Sequence, residues 1–452
     1  MIGKIKHKGL WWLPDRPEKR ISGTLKFTPW SGGILDLIGS FKDARYSDKL
    51  SSHEIILGTS AGGIPITLYG CFETKSRIST PGFSTSSFYV GMIFVGAHFP
   101  KKEDIKFKQL KIHYSHLNRW VNVYGFTRQR LLNFGKRTIT VAYALPNSIE
   151  VSVNSCKISI AFQVRESYKL EKVTIEQKTY VCITYPEETP IKECLKTINQ
   201  IRNFLTFAIG EPVYPLLVEG ITEVNKQILQ GNKEYYPPVK IFHKLLYTPR
   251  QLKTIHPDKM LFTFKDISKK FKDIIRNWFE KAELLEPIYD LYFNTLYNPY
   301  MYLHHRFLSL IQALEAYHRR VMKNYELPEE QHKKRLEEII KAVSPKYKNW
   351  LENKLKYSNE PTLRKRLKDI LDENEEILGE LFAEGSFINK VVDTRNYLTH
   401  YDITLKERAV QGEELYDLTK KLEKLLKACI LKELGFTRDE IKKLILSKNV
   451  GV

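Results

Sequence analysis

Cysteine is scarce in this chain of 452 residues: there are five (Cys71, Cys156, Cys182, Cys194 and Cys429), widely separated and with no CxxC pair. An odd, dispersed set argues against a disulfide framework and against a zinc site, and reads as cytosolic thiols. No apolar run approaches the ~20 residues that span a bilayer. The first residues carry Lys4, Lys6, His7 and Lys8 and lack the apolar stretch of a secretion signal. The expectation is therefore a cytoplasmic chain with no membrane partner. No HExxH motif, nucleophile elbow or fixed-period repeat is present. Acidic residues are also few, 52 against 72 lysines and arginines, for a net charge of +20 and a pI of 9.4. An excess of that size points to a polyanionic partner, because each phosphate neutralised by lysine or arginine releases counterions.

What is present divides the chain by periodicity. From about residue 8 to 186, short runs of alternating apolar residues recur, with 20–28 and 34–41 flanking Pro29-Trp30-Ser31-Gly32-Gly33 as a hairpin. Many short strands at this spacing predict an antiparallel sandwich or barrel-like domain. A helix is expected over 191–207, and strands return near 213–218 and 239–246. From about residue 265 the pattern becomes helical. Leu303, Phe307, Leu310, Leu314, Tyr317 and Val321 step by four and three, as do Leu415, Leu418, Leu422, Leu425 and Cys429. The fold class is α+β, a β-rich N-terminal domain followed by an all-α bundle. The expected division is 1–214, a mixed connecting region over 215–300, and 301–452. Basic clusters at Arg319-Arg320, Lys333-Lys334-Arg335 and Arg364-Lys365-Arg366 read as solvated helix faces.

One stretch of the bundle breaks its own pattern. In Val391-Val392-Asp393-Thr394-Arg395-Asn396-Tyr397-Leu398-Thr399-His400-Tyr401, a helix over 375–401 makes Ile388, Val391, Val392, Leu398 and Thr399 an apolar stripe with Arg395 inside it. A guanidinium there needs a carboxylate, a partner chain or a phosphate. Five residues on, His400 can exchange a proton near neutral pH. A second arginine–histidine pair, Arg250 and His256, has Gln251 in the polar slot, Pro257 directly after it and no helical stripe around it, so it is set aside.

Arg395-Asn396-Tyr397-Leu398-Thr399-His400 resembles the signature of the HEPN superfamily of helical ribonucleases. The opening Gly9-Leu10-Trp11-Trp12-Leu13-Pro14, with Ile21-Ser22-Gly23-Thr24-Leu25 and Leu35-Asp36-Leu37-Ile38-Gly39, is similar to the N-terminal domain of ApeA-type abortive-infection proteins. Those proteins end in a HEPN domain. Its other recognisable segment is matched here by Leu308-Ser309-Leu310-Ile311-Gln312-Ala313-Leu314-Glu315-Ala316-Tyr317-His318-Arg319. The resemblance implies an anti-phage endoribonuclease needing no metal or cofactor. In it the ribose 2′-hydroxyl attacks the adjacent phosphate to leave a 2′,3′-cyclic phosphate. It implies RNA as substrate, with tRNA among the candidates, a homodimer formed through the HEPN domain, and a β-rich front that answers a phage-derived trigger.

Under this reading His400 is the general base or acid and Arg395 holds the phosphoryl oxygens. Asn396, an i,i+4 neighbour of His400, orients the imidazole or serves as a local cap. Glu315 either supports Arg395 across the bundle or pairs with Arg319 on the surface. Tyr397 and Tyr401 either stack on an unpaired base or, as the favoured alternative, pack in the core. Plainer roles compete: a helix-end histidine on the last carbonyls for His400, and a structural ion pair for Arg395. On a straight helix, residues five apart point about 140° from each other. The helix must therefore break before His400, or a second chain must complete the cleft, which is the favoured arrangement. The alternative function is a non-catalytic HEPN-like module that dimerises and binds RNA or protein.

Overall fold

A computed structural model describes residues 3–42, 50–77, 81–133, 136–153, 155–245, 252–383 and 385–446. Arg250 and Gln251 of the discarded pair, and residue 246 of the last expected strand, lie outside them. The chain divides into two compact units, 1–272 and 273–452.

The first unit opens with β1 (Ile5–Leu13), β2 (Arg16–Thr28), β3 (Gly32–Ile38), β4 (Ser52–Ser60), β5 (Pro65–Arg77) and β6 (Thr85–Val95). All their pairings are antiparallel, in the order β6-β3-β2-β1-β4-β5. A further β5–β6 ladder, from Ile66↔Val95 to Arg77↔Thr85, closes them into a six-stranded barrel. The expected hairpin is β2–β3, with Thr28 opposite Gly32, whose φ of 81° only glycine adopts readily. Alternation sends one face of each strand inward. Trp11, Leu25, Leu35, Ile56, Leu68 and Phe88 are among the buried side chains of the core, and each such burial contributes roughly 1.5–3 kcal/mol.

Trp11 lies opposite Gly58, where a Cβ would fall 2.2 Å from the indole ring. Gly58→Ala must therefore displace a fully buried tryptophan. The expected cost is about 1–3 kcal/mol of stability, read as an earlier urea midpoint for the tertiary signal of the barrel.

The free stretch of β6 carries the sheet onward. After β7 (Lys106–Tyr114), α1 (Leu117–Val121), the separate hairpin of β8 (Phe126–Asn133) and β9 (Lys136–Tyr143), β10 (Ile149–Val153), β11 (Cys156–Lys169) and β12 (Lys172–Pro190), the chain enters α2 (Ile191–Ile209). It returns as β13 (Pro215–Ile221), a small hairpin of β14 (Gln227–Leu229) and β15 (Lys233–Tyr235), and β16 (Val239–His243). The order β10-β11-β12-β7-β13-β16-β6 makes β13 and β16 inner strands that join the later sheet to the barrel. Tyr114 Oη donates to the Ile198 carbonyl at 2.9 Å, fixing α2 on β7. α3 (Phe264–Ile267) follows, with Thr263 and Asp266 as a capping box.

Beyond α4 (Phe271–Glu280), which crosses the boundary, the second unit is helical: α5 (Ala282–Tyr297), α6 (Leu303–Val321), α7 (Glu329–Ala342), α8 (Lys348–Leu355), α9 (Leu363–Glu373), α10 (Glu375–Leu378), α11 (Phe387–His400), α12 (Gly412–Glu433) and α13 (Arg438–Leu446). The helix expected over 375–401 is thus two helices. α6 packs on α5 and α12 through Phe307, Leu310, Leu314 and Tyr317 on one side and Leu418, Leu422, Leu425 and Cys429 on the other, all buried as their spacing predicts. Tyr317 Oη donates to Glu433 Oε1 at 3.0 Å, and Lys281 Nζ meets Oε2 at 2.8 Å, so this carboxylate does not enter the core unpaired. No described helix is long and apolar enough to cross a membrane.

Candidate active site

α11 packs on α9 and α6, and three contacts set its position. Phe387 meets Phe382 edge-on, with centroids 4.7 Å apart. Lys390 Nζ lies 2.8 Å from Glu414. The buried Thr394 Oγ1 accepts the Val410 N–H at 3.0 Å, tying the helix to the chain that leads into α12. The buried line along α11 is Phe387, Val391 and Thr394. This corrects the expected stripe: Ile388, Val392 and Leu398 are only half-buried and Thr399 is exposed. Phe387, Val391 and Thr394 repeat at i, i+4 and i+7 and form the inward side of α11, so the remaining apolar residues flank that line.

Arg395 therefore flanks the buried line and is half-buried. Its Nη1 donates to Asn396 Oδ1 at 3.0 Å, and among the described residues no carboxylate pairs with it. The Asn396 side chain accordingly steadies the guanidinium, and among the described residues no side-chain hydrogen bond joins it to His400. His400 is exposed and is the last residue of the helix, and among the described residues its side chain makes no hydrogen bond, to the final carbonyls or otherwise. The helix does not break before it. Tyr401 follows in the left-handed conformation, φ 52°, and its N–H caps the Tyr397 carbonyl. Core packing of Tyr401 is overturned, since the ring is 70 % exposed and contacts the half-buried Tyr397 edge-on at 5.9 Å. Asp402 then folds back on Thr404, whose hydroxyl and N–H hold its carboxyl below the usual carboxylate range, with Arg408 and His400 adding to the effect.

Among the described residues Glu315 makes no hydrogen bond or ion pair with Arg395 or Arg319. Arg319 pairs with Glu360, and Glu315 lies where its charge favours the cationic form of Arg366. That arginine is one the sequence reading placed on a solvated face, and it is buried, 3 % exposed. Its Nη1 donates to His318 Nδ1 at 3.1 Å and to Asn324, and Nη2 meets Glu360 at 3.2 Å. Arginine only donates, so His318 Nδ1 is an acceptor, and its Nε2–H is left to donate to Asp369 Oδ2 at 3.1 Å. Burial would raise the Asp369 carboxyl, but Lys365 and His318 bring it below its ordinary value. The signal was present in the sequence: Phe307, Ile311, Leu314 and His318 lie at i, i+4, i+7 and i+11 on α6, and Arg366 lies between Leu363 and Ile370 on α9.

Burial holds the His318 pKa below 6.5, with Asp369 only partly offsetting it. The unfolded chain then binds a proton before the folded one, so stability falls as pH drops below about 6.5. His318→Gln, which keeps one donor and one acceptor, is expected to lose this part of the decline in melts at pH 7 and pH 5. An unchanged difference between wild type and variant across that range excludes it.

Two family models match the chain. Residues 6–278 match ApeA N-terminal domain 1, and residues 308–440 match the Apea-like HEPN domain. The chain belongs to the ApeA family. It matches no curated protein and no solved structure. In this ApeA protein the HEPN match begins within α6 and extends into α13, so it contains Arg395, His400 and the His318–Arg366 network. The chain is thereby of the HEPN nuclease type found in abortive-infection proteins; HEPN domains are generally ribonucleases, and they typically bind RNA and dimerise.

Proposed function

We propose that this ApeA protein is a metal-independent endoribonuclease whose site is completed by a second copy of the chain. The observation that carries the reading is the unbroken helix from Arg395 to an exposed His400 whose side chain has no hydrogen-bond or ion-pair partner among the described residues. One protomer alone directs the two side chains about 140° apart, and a two-fold axis beside the end of α11 brings the Arg395 of one chain toward the His400 of the other. Exposed Tyr401 and Ile403 supply apolar surface next to His400 for such a contact. Arg395, steadied by Asn396, binds the phosphoryl oxygens and offsets the charge that develops on them. His400 removes the 2′-hydroxyl proton or protonates the leaving 5′-oxygen. Tyr397 and Tyr401 are placed to meet a base. The substrate is single-stranded or loop RNA, tRNA among the candidates. The β-rich unit restrains the nuclease until a phage-derived trigger shifts the equilibrium between inactive and active states.

The test is incubation of total cellular RNA with the purified chain in EDTA, with the product ends mapped. Cyclic-phosphate ends support the reading. If neither the chain alone nor the chain with phage lysate cuts RNA, it fails, and binding without cleavage takes its place.

A further inference from the structure

Between His318 and Pro361 no residue is buried. This stretch leaves the bundle as an arm formed by α7 and α8. Its base is clamped by Asn359, which accepts the Leu327 N–H at 3.0 Å and donates to the Leu327 carbonyl at 2.9 Å, while its own carbonyl accepts the Glu326 N–H at 2.9 Å. The half-buried Leu351 and Leu355 mark the inner side of α8, and Leu355 joins Leu336 and Ile340 in the floor of a groove of about 370 Å³ against α7. The outer side needs another explanation. Trp350 and Lys354 lie on α8, and Tyr347 and Tyr357 flank its two ends, at the spacing i, i+3, i+7 and i+10. The three rings are 51 %, 60 % and 66 % exposed. Water is a poor environment for three aromatic rings, so a set of this kind implies an occupant.

The charge identifies that occupant. Residues 341–358 hold five lysines (Lys341, Lys346, Lys348, Lys354 and Lys356) and one acid, Glu352. None of the five is in an ion pair among the described residues, whereas Arg319, Lys365 and Arg366 beside the arm are all paired. Lys346 and Lys356 instead sit over the Tyr347 and Tyr357 rings, at 5.4 and 5.5 Å. Flat rings alternating with unpaired cations suit a strand that presents bases and phosphates in alternation. A folded partner or a second copy fits less well, since five unpaired ammonium groups would have to be covered.

We propose that the α7–α8 arm is a docking surface for single-stranded RNA, gripping the substrate away from Arg395 and His400. The proposal rests on the ribonuclease reading only in naming that RNA as the substrate. Binding is measured with the full-length His400→Ala chain and a fluorescein-labelled oligo(U) of about 20 nucleotides in EDTA. Replacing Tyr347, Trp350 and Tyr357 together by alanine is expected to weaken affinity at least about tenfold. Replacing Lys341, Lys346 and Lys356 by alanine is expected to make the slope of log affinity against log salt shallower by about two. Both sets are exposed, so melting curves should not move.

Affinity within twofold of the parent, or a parent chain that binds no RNA, overturns the proposal. So does a change in sedimenting mass with affinity retained, which would make the surface an interface between copies. With His400 intact the two readings separate. RNA held through the arm but left uncut removes the nuclease and keeps the arm, whereas unimpaired cleavage and binding by the arm variants remove the arm and keep the nuclease.

Discussion

His400→Ala is expected to slow RNA cleavage by about 10²–10⁴-fold, the usual contribution of a positioned general acid or base, while RNA affinity stays within about twofold. The separation of the two effects follows from the geometry. His400 is exposed at the end of α11 and its side chain makes no hydrogen bond among the described residues, so its removal leaves the fold intact, and the excess of cations elsewhere on the chain maintains the attraction for phosphate. Arg395→Ala is less diagnostic, because loss of the guanidinium weakens phosphate binding whether or not the protein is an enzyme. Arg395→Lys is more informative: a point charge replaces a planar fork, so cleavage should fall further than affinity. If His400→Ala cleaves at the wild-type rate, the assignment is wrong. If it loses affinity and cleavage in the same proportion, His400 is a binding residue.

Arg366→Met is expected to cost the helical unit about 3–5 kcal/mol, the cost of breaking a buried ionic network from one side. The guanidinium is buried and bridges His318, Asn324 and Glu360. Methionine fills part of its volume but leaves the buried Nδ1 of His318 without a donor. The effect should localise: amides of α6 and α9 exchange faster with deuterium, while those of the barrel do not change. Arg366→Lys should restore little, because an ammonium group lacks the planar fork that reaches all three acceptors. Exchange within about 1 kcal/mol of wild type in α6 and α9 would mean that the network is dispensable.

Local periodicity determined a good deal about this protein. Alternating residues predicted the β2–β3 hairpin and a β-rich front, steps of three and four predicted the buried faces of α6 and α12, and the spelling of 395–400 marked the candidate site and the family. These features are legible because each depends on neighbours within a turn or a hairpin. Closure of the barrel was not legible, since the β5–β6 ladder and the insertion of β13 and β16 beside β6 join segments whose patterns do not name their partners. Nor was burial at the ends of helices. A helical stripe says which side faces inward, but Arg395 stays half-buried beside the line of Phe387, Val391 and Thr394, Tyr401 is exposed just past the end of α11, and Arg366 is buried because α6 presents a neutral histidine to it. A charged side chain has the same letter whether solvent or a partner stabilises it, and only the tertiary structure supplies or withholds that partner.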